Sequence, residues 1–367
     1  MIIAVDYNLK EVRLWACREG EKAPELCFFA RDPAVLAGED SLRGCIREIS
    51  GRENIEVVSF RILFGGDYFA GPEIVNKRFL ARFEKLTTLF PFYVPSMLKM
   101  LKRFKEALGG IPLVAFFETS FFLRLPESAK FYALPFKFRK DTSIRKWGFH
   151  GIFHQHNTGM FPPADKSISV VIDKQTTVCA ASGNRPLSIS LGYTPLEGVM
   201  SRTSCGDIDP GIVFYLMNVH NFSMHRIDEM LKNESGFLGL TGYDIELRDM
   251  LKLRGRDAKV DLAFEVYQSQ VMKHIGEGIA AMGGLDNIVF AGAYLDMFIP
   301  VIYDMLKKVS FLGISTLGLP WKKDKGISAV SSRDSGIKVY LNRMELAGLI
   351  FYESRAFLKK IVFDRNG

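Results

Sequence analysis

The sequence predicts a duplicated α/β protein, and three observations carry that prediction. A pair of β-patterned segments opens the chain, and a similar pair recurs near residue 166. In both halves, apolar strands of five to nine residues alternate with longer stretches of helical spacing, the signature of βαβ units. At 367 residues the chain is long enough for two domains, each with its own core.

The first pair is Ile2-Ile3-Ala4-Val5-Asp6 and Val12-Arg13-Leu14-Trp15-Ala16, separated by a short polar break. Helical patterning around Leu42–Ile49 leads into a strand over 56–64 that closes on Gly65-Gly66-Asp67. Residues 75–108 read as helical, interrupted by Phe90-Pro91-Phe92-Tyr93-Val94-Pro95. A strand over 112–117 then ends at Glu118-Thr119-Ser120. The second pair, 166–173 and 177–181, flanks Lys174-Gln175. From 210 to 280 the spacing is mostly helical, with a glycine-punctuated loop over 235–242. An amphipathic helix over 268–282 is capped by Gly283-Gly284. Strands over 286–292 and 337–341 and a closing helix over about 343–360 complete the chain. A domain boundary is expected near 145–150, with the terminal helix returning to the first domain.

Hydrophobic residues make up 48% and charged residues 24%, as in ordinary soluble proteins, and 30 phenylalanines supply much of the core material. The net charge of +7 is spread along the chain, and its densest run, Lys322-Lys323-Asp324-Lys325, contains an acid and reads as a solvated loop. No nucleic-acid partner is therefore expected. The five cysteines are scattered without CxxC spacing, which fits a reducing compartment. No signal peptide and no transmembrane stretch is read, so the expected location is the cytoplasm, with no membrane partner.

Three features point to chemistry. His150 is framed by Gly148 and Gly151, and turn-rich segments follow at Thr194–Gly198 and Gly206-Asp207-Ile208-Asp209-Pro210. Together they suit a backbone approaching a ligand; singly, each reads as a tight turn around a satisfied histidine. Asp6 leaves a buried strand, where a carboxylate holds either a hydrated metal or the turn at Tyr7-Asn8. Arg61 lies inside an apolar strand and demands an anion or carboxylate partner, because its charge cannot be neutralised. Glu118 repeats the arrangement of an apolar strand ending in an acid.

Several motifs, in order, resemble the acetate kinase family (acetokinases, including propionate and butyrate kinases). They are Tyr132-Ala-Leu-Pro135, Arg145-Lys-Trp-Gly-Phe-His-Gly151, Gly192-Tyr-Thr-Pro-Leu-Glu-Gly198, Gly206-Asp-Ile-Asp-Pro210, Ser235-Gly-Phe-Leu-Gly239, Leu247-Arg-Asp249 and Ala281-Met-Gly-Gly-Leu-Asp286. The resemblance implies an actin-like ATPase fold, the one shared by acetate and sugar kinases, with two duplicated ββ-βαβ domains and a central cleft. It assigns 1–147 plus 346–367 to an N-terminal acetokinase-type domain and 148–345 to a nucleotide-side and dimerisation domain. It also implies a homodimer that uses ATP and Mg2+ to phosphorylate a small carboxylate.

By the same resemblance, Arg61, Glu118 and His150 are the catalytic candidates: Arg61 for the carboxylate, His150 for the transferring phosphoryl group, and Glu118 in place of an aspartate. Arg13, Asp173, Lys174, Gln175, Gly206, Asp207, Arg248 and Gly292 fall on the nucleotide side, and Asp6 and Glu345 on the metal. The sequence also departs from the family pattern. Its phosphate loop reads Val171-Ile172-Asp173-Lys174-Gln175, without glycine, and the place of a second arginine is taken by Ser204, with Arg202 two positions away. Phe92 stands in place of a substrate-side histidine, Ala293-Tyr-Leu-Asp-Met297 in place of an adenosine-side glycine segment, and Met344 in place of a metal-holding glutamate unless Glu345 takes that role. The expected function is an ATP-dependent phosphotransferase forming an acyl phosphate, with weakened or altered activity. The alternatives are a catalytically inactive binding or scaffold protein, and a kinase acting on a sugar or protein hydroxyl.

Overall fold

A computed structural model describes the chain except for residues 19, 20, 22, 37, 52, 140–143, 322–325 and 367 and the side chains of 139 and 361–366. The basic run at 322–325 thus lies outside the described residues. The chain forms two compact units, Met1–Leu123 with Glu345–Gly367, and Arg124–Met344. The stretch from 124 to 147 is tied to the second unit by its own bonds. Trp147 N donates to Gly192 O, Lys146 pairs with Glu197 at 2.6 Å, and Tyr132 hydrogen-bonds Glu197.

The first unit is built on β1 (Ile2–Tyr7), β2 (Val12–Cys17), β3 (Glu25–Ala30), α1 (Glu39–Ser50), β4 (Val57–Ile62), β5 (Glu73–Ile74), α2 (Lys77–Glu84), α3 (Tyr93–Leu108) and β6 (Leu113–Phe117). Its sheet runs β3-β2-β1-β4-β6-β5, with β1, β4 and β6 parallel and the other pairings antiparallel. The parallel centre is covered on both faces, so β1 is buried throughout, as such strands require. The C-terminal helix, Leu346–Asn366, packs on β1 and β4. The phenylalanines gather in this core: Phe69 stacks on Phe117 at 4.5 Å, and Phe60 meets Phe104 edge-on at 4.9 Å.

The second unit adds the short helices α4 (Glu127–Lys130) and α5 (Phe136–Arg139), then α6 (Gly151–Gly159), β7 (Lys166–Val171), β8 (Thr177–Ser182) and β9 (Arg185–Ile189). Next come α7 (Gly211–Val219), α8 (Met224–Asn233), α9 (Gly236–Thr241), α10 (Leu247–Leu251) and α11 (Ala258–Met282). β10 (Asn287–Ala291), α12 (Leu295–Lys308), β11 (Ile327–Ala329) and β12 (Lys338–Asn342) complete it. Its sheet order, β11-β12-β10-β7-β8-β9, repeats the first sheet pairing for pairing, including the sixth, antiparallel strand. The duplication read from the two opening strand pairs is therefore real, with each pair extended to a three-stranded meander.

Two local expectations need correction. The glycine-punctuated stretch at 235–242 is not a loop but contains α9, because Gly236 (φ 63°) and Gly242 (φ 76°) bracket the helix while Phe237 and Thr241 are buried inside it. The helix expected from 268 begins ten residues earlier, at Ala258, where Asp257 caps the backbone N–H groups of Lys259 and Val260.

Candidate active site

In the first unit the strand register makes the site. β1 and β4 are parallel with Asp6 opposite Arg61, and β6 is parallel to β4, so Glu118 emerges just past its end. Arg61 Nε donates to Glu118 Oε1 at 2.5 Å, and Nη1 donates to Asp6 Oδ1 at 3.1 Å. The Glu118 side chain is fully buried, and those of Asp6 and Arg61 are 10% and 12% exposed. Burial opposes the guanidinium charge, but the two carboxylates outweigh it and hold Arg61 above its ordinary range. The carboxylate partner that Arg61 requires is thus present twice. Tyr93 closes one side: its hydroxyl accepts from Leu63 N at 2.9 Å, and burial raises its pKa.

The turn alternative for Asp6 is taken by its neighbour, since Asn8 Oδ1 accepts from Lys10 N and Glu11 N. Arg13 faces Asp6 across β1 and β2, but its guanidinium pairs with Glu11 at 3.0 Å and lies over Phe29. Glu345 is exposed where the C-terminal helix begins. Among the described residues, no group of three or more His, Cys, Asp or Glu is arranged to hold a metal ion.

In the second unit, His150 caps α6 in a left-handed conformation (φ 60°, ψ 29°) and is 4% exposed. A non-glycine residue held there costs about 1–3 kcal/mol, which marks the position as functional or strained. Its Nδ1 lies 2.9 Å from Thr177 Oγ1, at the start of β8. One turn along α6, His154 Nε2 meets the same hydroxyl at 2.9 Å, and His154 Nδ1 meets Ser169 Oγ at 2.8 Å. Burial drives the His154 pKa down to about 3, so this ring is neutral.

The other nucleotide-side candidates fall into two groups. Asp173, Lys174 and Gln175 form the β7–β8 turn, and Gly292 (φ 108°) lies against it. A Cβ there would sit 2.4 Å from Ile172 O, so only glycine lets the two turns meet. Gln175 Nε2 donates to Val199 O at 2.7 Å. Burial raises the pKa of Tyr294, and the carboxylates of Asp173 and Glu246 add to the rise while Arg202 opposes it, which places these four in one neighbourhood. Arg202 also pairs with Asp244 at 2.6 Å, and Arg248 is exposed on α10.

Gly206 (φ 70°) and Asp207 belong to a different clasp. Asp207 Oδ1 accepts from Gly198 N at 2.7 Å, and Oδ2 lies 3.3 Å from His274 Nε2, an ion-pair distance off the line of a good hydrogen bond. His274, on α11, also reaches Glu277 at 3.2 Å. Burial works against its charge, but the two carboxylates prevail and raise its pKa. Sequence reasoning missed His154, Thr177 and His274. The spacing of His150 and His154, four apart and thus on one helix face, was the available signal for the first.

Fold and site define a class: a duplicated α/β protein with a buried arginine between two acids in one unit and a strained histidine in the other. The Acetokinase family model matches residues 8–347. The acetate kinase of Shouchella clausii (strain KSM-K16) is 32% identical over 283 residues, covering 73% of this chain and 72% of that protein. Among solved structures, the acetate kinase of Porphyromonas gingivalis superposes with a TM-score of 0.87 at 22% identity, covering 97% of this chain and 99% of the other. A propionate kinase of Francisella tularensis reaches 0.81 at 21% identity, covering 95% and 97%. The chain belongs to the acetokinase family.

Proposed function

We propose that the protein transfers the γ-phosphoryl group of ATP to a small carboxylic acid, giving an acyl phosphate and ADP. The observation that carries this reading is Arg61, a nearly buried guanidinium held in a fixed plane by Glu118 and Asp6, in a chain of the acetokinase family. Phosphoryl transfer asks for charge neutralisation and in-line positioning more than for covalent help. Arg61 orients the acceptor carboxylate, and Glu118 fixes the tilt of Arg61. His150 donates a hydrogen bond to charge developing on the moving phosphoryl group. The β7–β8 turn and Gly292 take the nucleotide.

Magnesium bound with ATP would supply neutralisation of phosphate charge. Asp6, a carboxylate at a strand end, would hold it, with Glu345 as the second candidate, one or two carboxylates plus phosphates being the usual donor set.

A second reading is favoured by the same cluster. With two carboxylates on Arg61 and no glycine in the β7–β8 turn, an anionic substrate is held less strongly, and turnover is weakened or lost in favour of a binding or scaffold role. One experiment separates the two. Purified protein is incubated with Mg·ATP and a panel of C2–C6 acids, acyl phosphate is trapped with hydroxylamine, and Mg·ATP binding is followed by calorimetry. Hydroxamate above a His150→Ala control supports the kinase. Nucleotide binding without any trapped product supports the binding protein.

The proposed assembly is a homodimer formed through α7. This helix buries none of its own residues and exposes Ile212, Phe214, Tyr215 and Val219, an apolar surface that a second copy would cover. Light scattering should give twice the chain mass, and Phe214→Glu should give the monomer.

A further inference from the structure

A line of hydrogen bonds crosses the interior of the second unit. It starts at the end of β12, where Met344 N donates to Asn342 Oδ1 at 3.0 Å. A backbone N–H cannot act as an acceptor, so this bond fixes which end of the Asn342 amide is oxygen. The other end, Nδ2, donates to Asn157 Oδ1 at 2.8 Å. The Asn157 amide is thereby fixed as well, and its Nδ2 donates to Ser169 Oγ at 2.9 Å.

Among the described residues, Ser169 Oγ has two side-chain partners. One is this amide donor, so the hydroxyl proton goes to the other, His154 Nδ1. With Nδ1 accepting and the ring kept neutral by burial, His154 carries its proton on Nε2. That N–H donates to Thr177 Oγ1, and the threonine passes its own proton on to His150 Nδ1. Every side chain in the line, Asn342, Asn157, Ser169, His154 and Thr177, is 0% exposed, so water does not scramble the order.

The geometry points to a tautomer relay in which the Met344 backbone N–H, acting through Asn342, Asn157, Ser169, His154 and Thr177, keeps His150 in the form with Nδ1 bare and Nε2 protonated. These five side chains are positioning residues. Together they present His150 Nε2–H as a ready donor, the form that suits a developing phosphoryl charge. That last consequence rests on the role proposed for His150; the tautomer itself does not.

The test is long-range ¹H–¹⁵N NMR on full-length protein labelled in histidine, with His150→Gln and His154→Gln used to assign the rings. In the wild type, both rings should show a protonated Nε2 and an unprotonated Nδ1. Thr177→Val removes the last link with little change of shape, and His150 should become a mixture of tautomers. Thr177→Ser should restore the single form. Asn342→Asp places an acceptor where the line needs a donor and should reverse every bond, moving the His150 proton to Nδ1.

A wild-type His150 protonated on Nδ1, or a Thr177→Val protein with an unchanged ring, overturns the relay. Loss of a single electrostatic donor costs about 10²- to 10³-fold in turnover, so Thr177→Val should lower kcat by at least about 10-fold, with the KM for ATP nearly unchanged and Thr177→Ser rescuing. Absence of any phosphotransfer in the wild type would defeat the proposed function, while the NMR spectra would still decide the relay.

Discussion

The two sheets share one topology and use it for opposite electrostatics. Across the strand ends, the first sheet reads Arg13, Asp6, Arg61, Phe116; the equivalent row of the second reads Thr177, Val171, Ala291, Asn342. The first row holds three charges: Arg61 pairs with Asp6 inside the row and with Glu118 beyond it, while Arg13 pairs with Glu11. The second is neutral, and it frames a hydrogen-bond line that ends on a histidine. Under the covering helices the two units are alike instead, each with a neutral buried contact: Ser59 meets Ser354 of the C-terminal helix at 2.7 Å, and Ser169, on the equivalent layer, meets His154 of α6 at 2.8 Å. Duplication preserves the places, and chemistry is assigned to them afterwards.

The strongest way to break the contrast is to remove the arginine at the centre of the first row. Arg61→Met removes the guanidinium that Glu118 and Asp6 share, and breaking a buried pair in this way costs about 3–5 kcal/mol. Denaturant unfolding of the full chain should show a loss of that size, and the acyl phosphate assay should fall about 10²- to 10³-fold. A variant as stable as the wild type would mean that the arginine serves binding alone.

Acid sharpens the comparison from the other side. His154 has a folded pKa of about 3, far below the ordinary value of about 6.5. In this window the unfolded chain takes up a proton that the folded chain refuses. Its contribution is therefore fully present above about pH 6.5 and is lost as the pH falls toward 3, at about 1.4 kcal/mol per pH unit. Urea midpoints measured between pH 7 and 4.5 should show this slope, and His154→Gln should flatten it.

What could be read in advance follows from where the physics is local. The central strands were legible because β1, β6 and β10 are buried along their whole length and are mostly apolar, with a polar residue only near one end of β1 (Asp6) and of β10 (Asn287). The edge strand β3 was not: it is largely exposed, and its sequence carries no strong alternation. Arg61 was legible because a charge inside an apolar strand demands a partner, and acids at the ends of neighbouring strands were the natural suppliers. The relay was not legible. Its link between Asn157 and Asn342 joins residues 185 apart, and neither amide stands out in sequence from any other.

A smaller effect is expected where the second sheet turns tightly. Gly292 follows Ala291 just as Ile62 follows Arg61, yet Ile62 carries a full side chain and is buried without conflict. At Gly292 the backbone has φ 108°, and an added Cβ would press on Ile172 O at 2.4 Å. Gly292→Ala should cost about 1–3 kcal/mol in thermal unfolding and should weaken Mg·ATP binding by displacing the β7–β8 turn.

The smallest effect is expected at His274, and its sign is the opposite of that at His154. Burial disfavours the His274 charge, but Asp207 and Glu277 overcome this and raise its pKa, with Lys273 also close to Asp207 and Lys146 acting on Glu277. A raised folded pKa means that the stabilisation is complete below the unfolded value of about 6.5 and disappears as the pH rises through the folded one. The wild type should thus lose stability relative to His274→Gln as the pH rises from about 6.5 through the raised folded pKa, the loss being modest because Glu277 and Lys273 are solvent-facing. Since Asp207 also accepts from Gly198 N, deprotonation should loosen the 198–207 segment first, which amide hydrogen exchange at Gly198 would reveal as faster exchange at high pH in the wild type than the intrinsic rate alone predicts. Two histidines in one unit would then respond to pH in opposite senses, one because it lies in a neutral line of hydrogen bonds and the other because it bridges two acids.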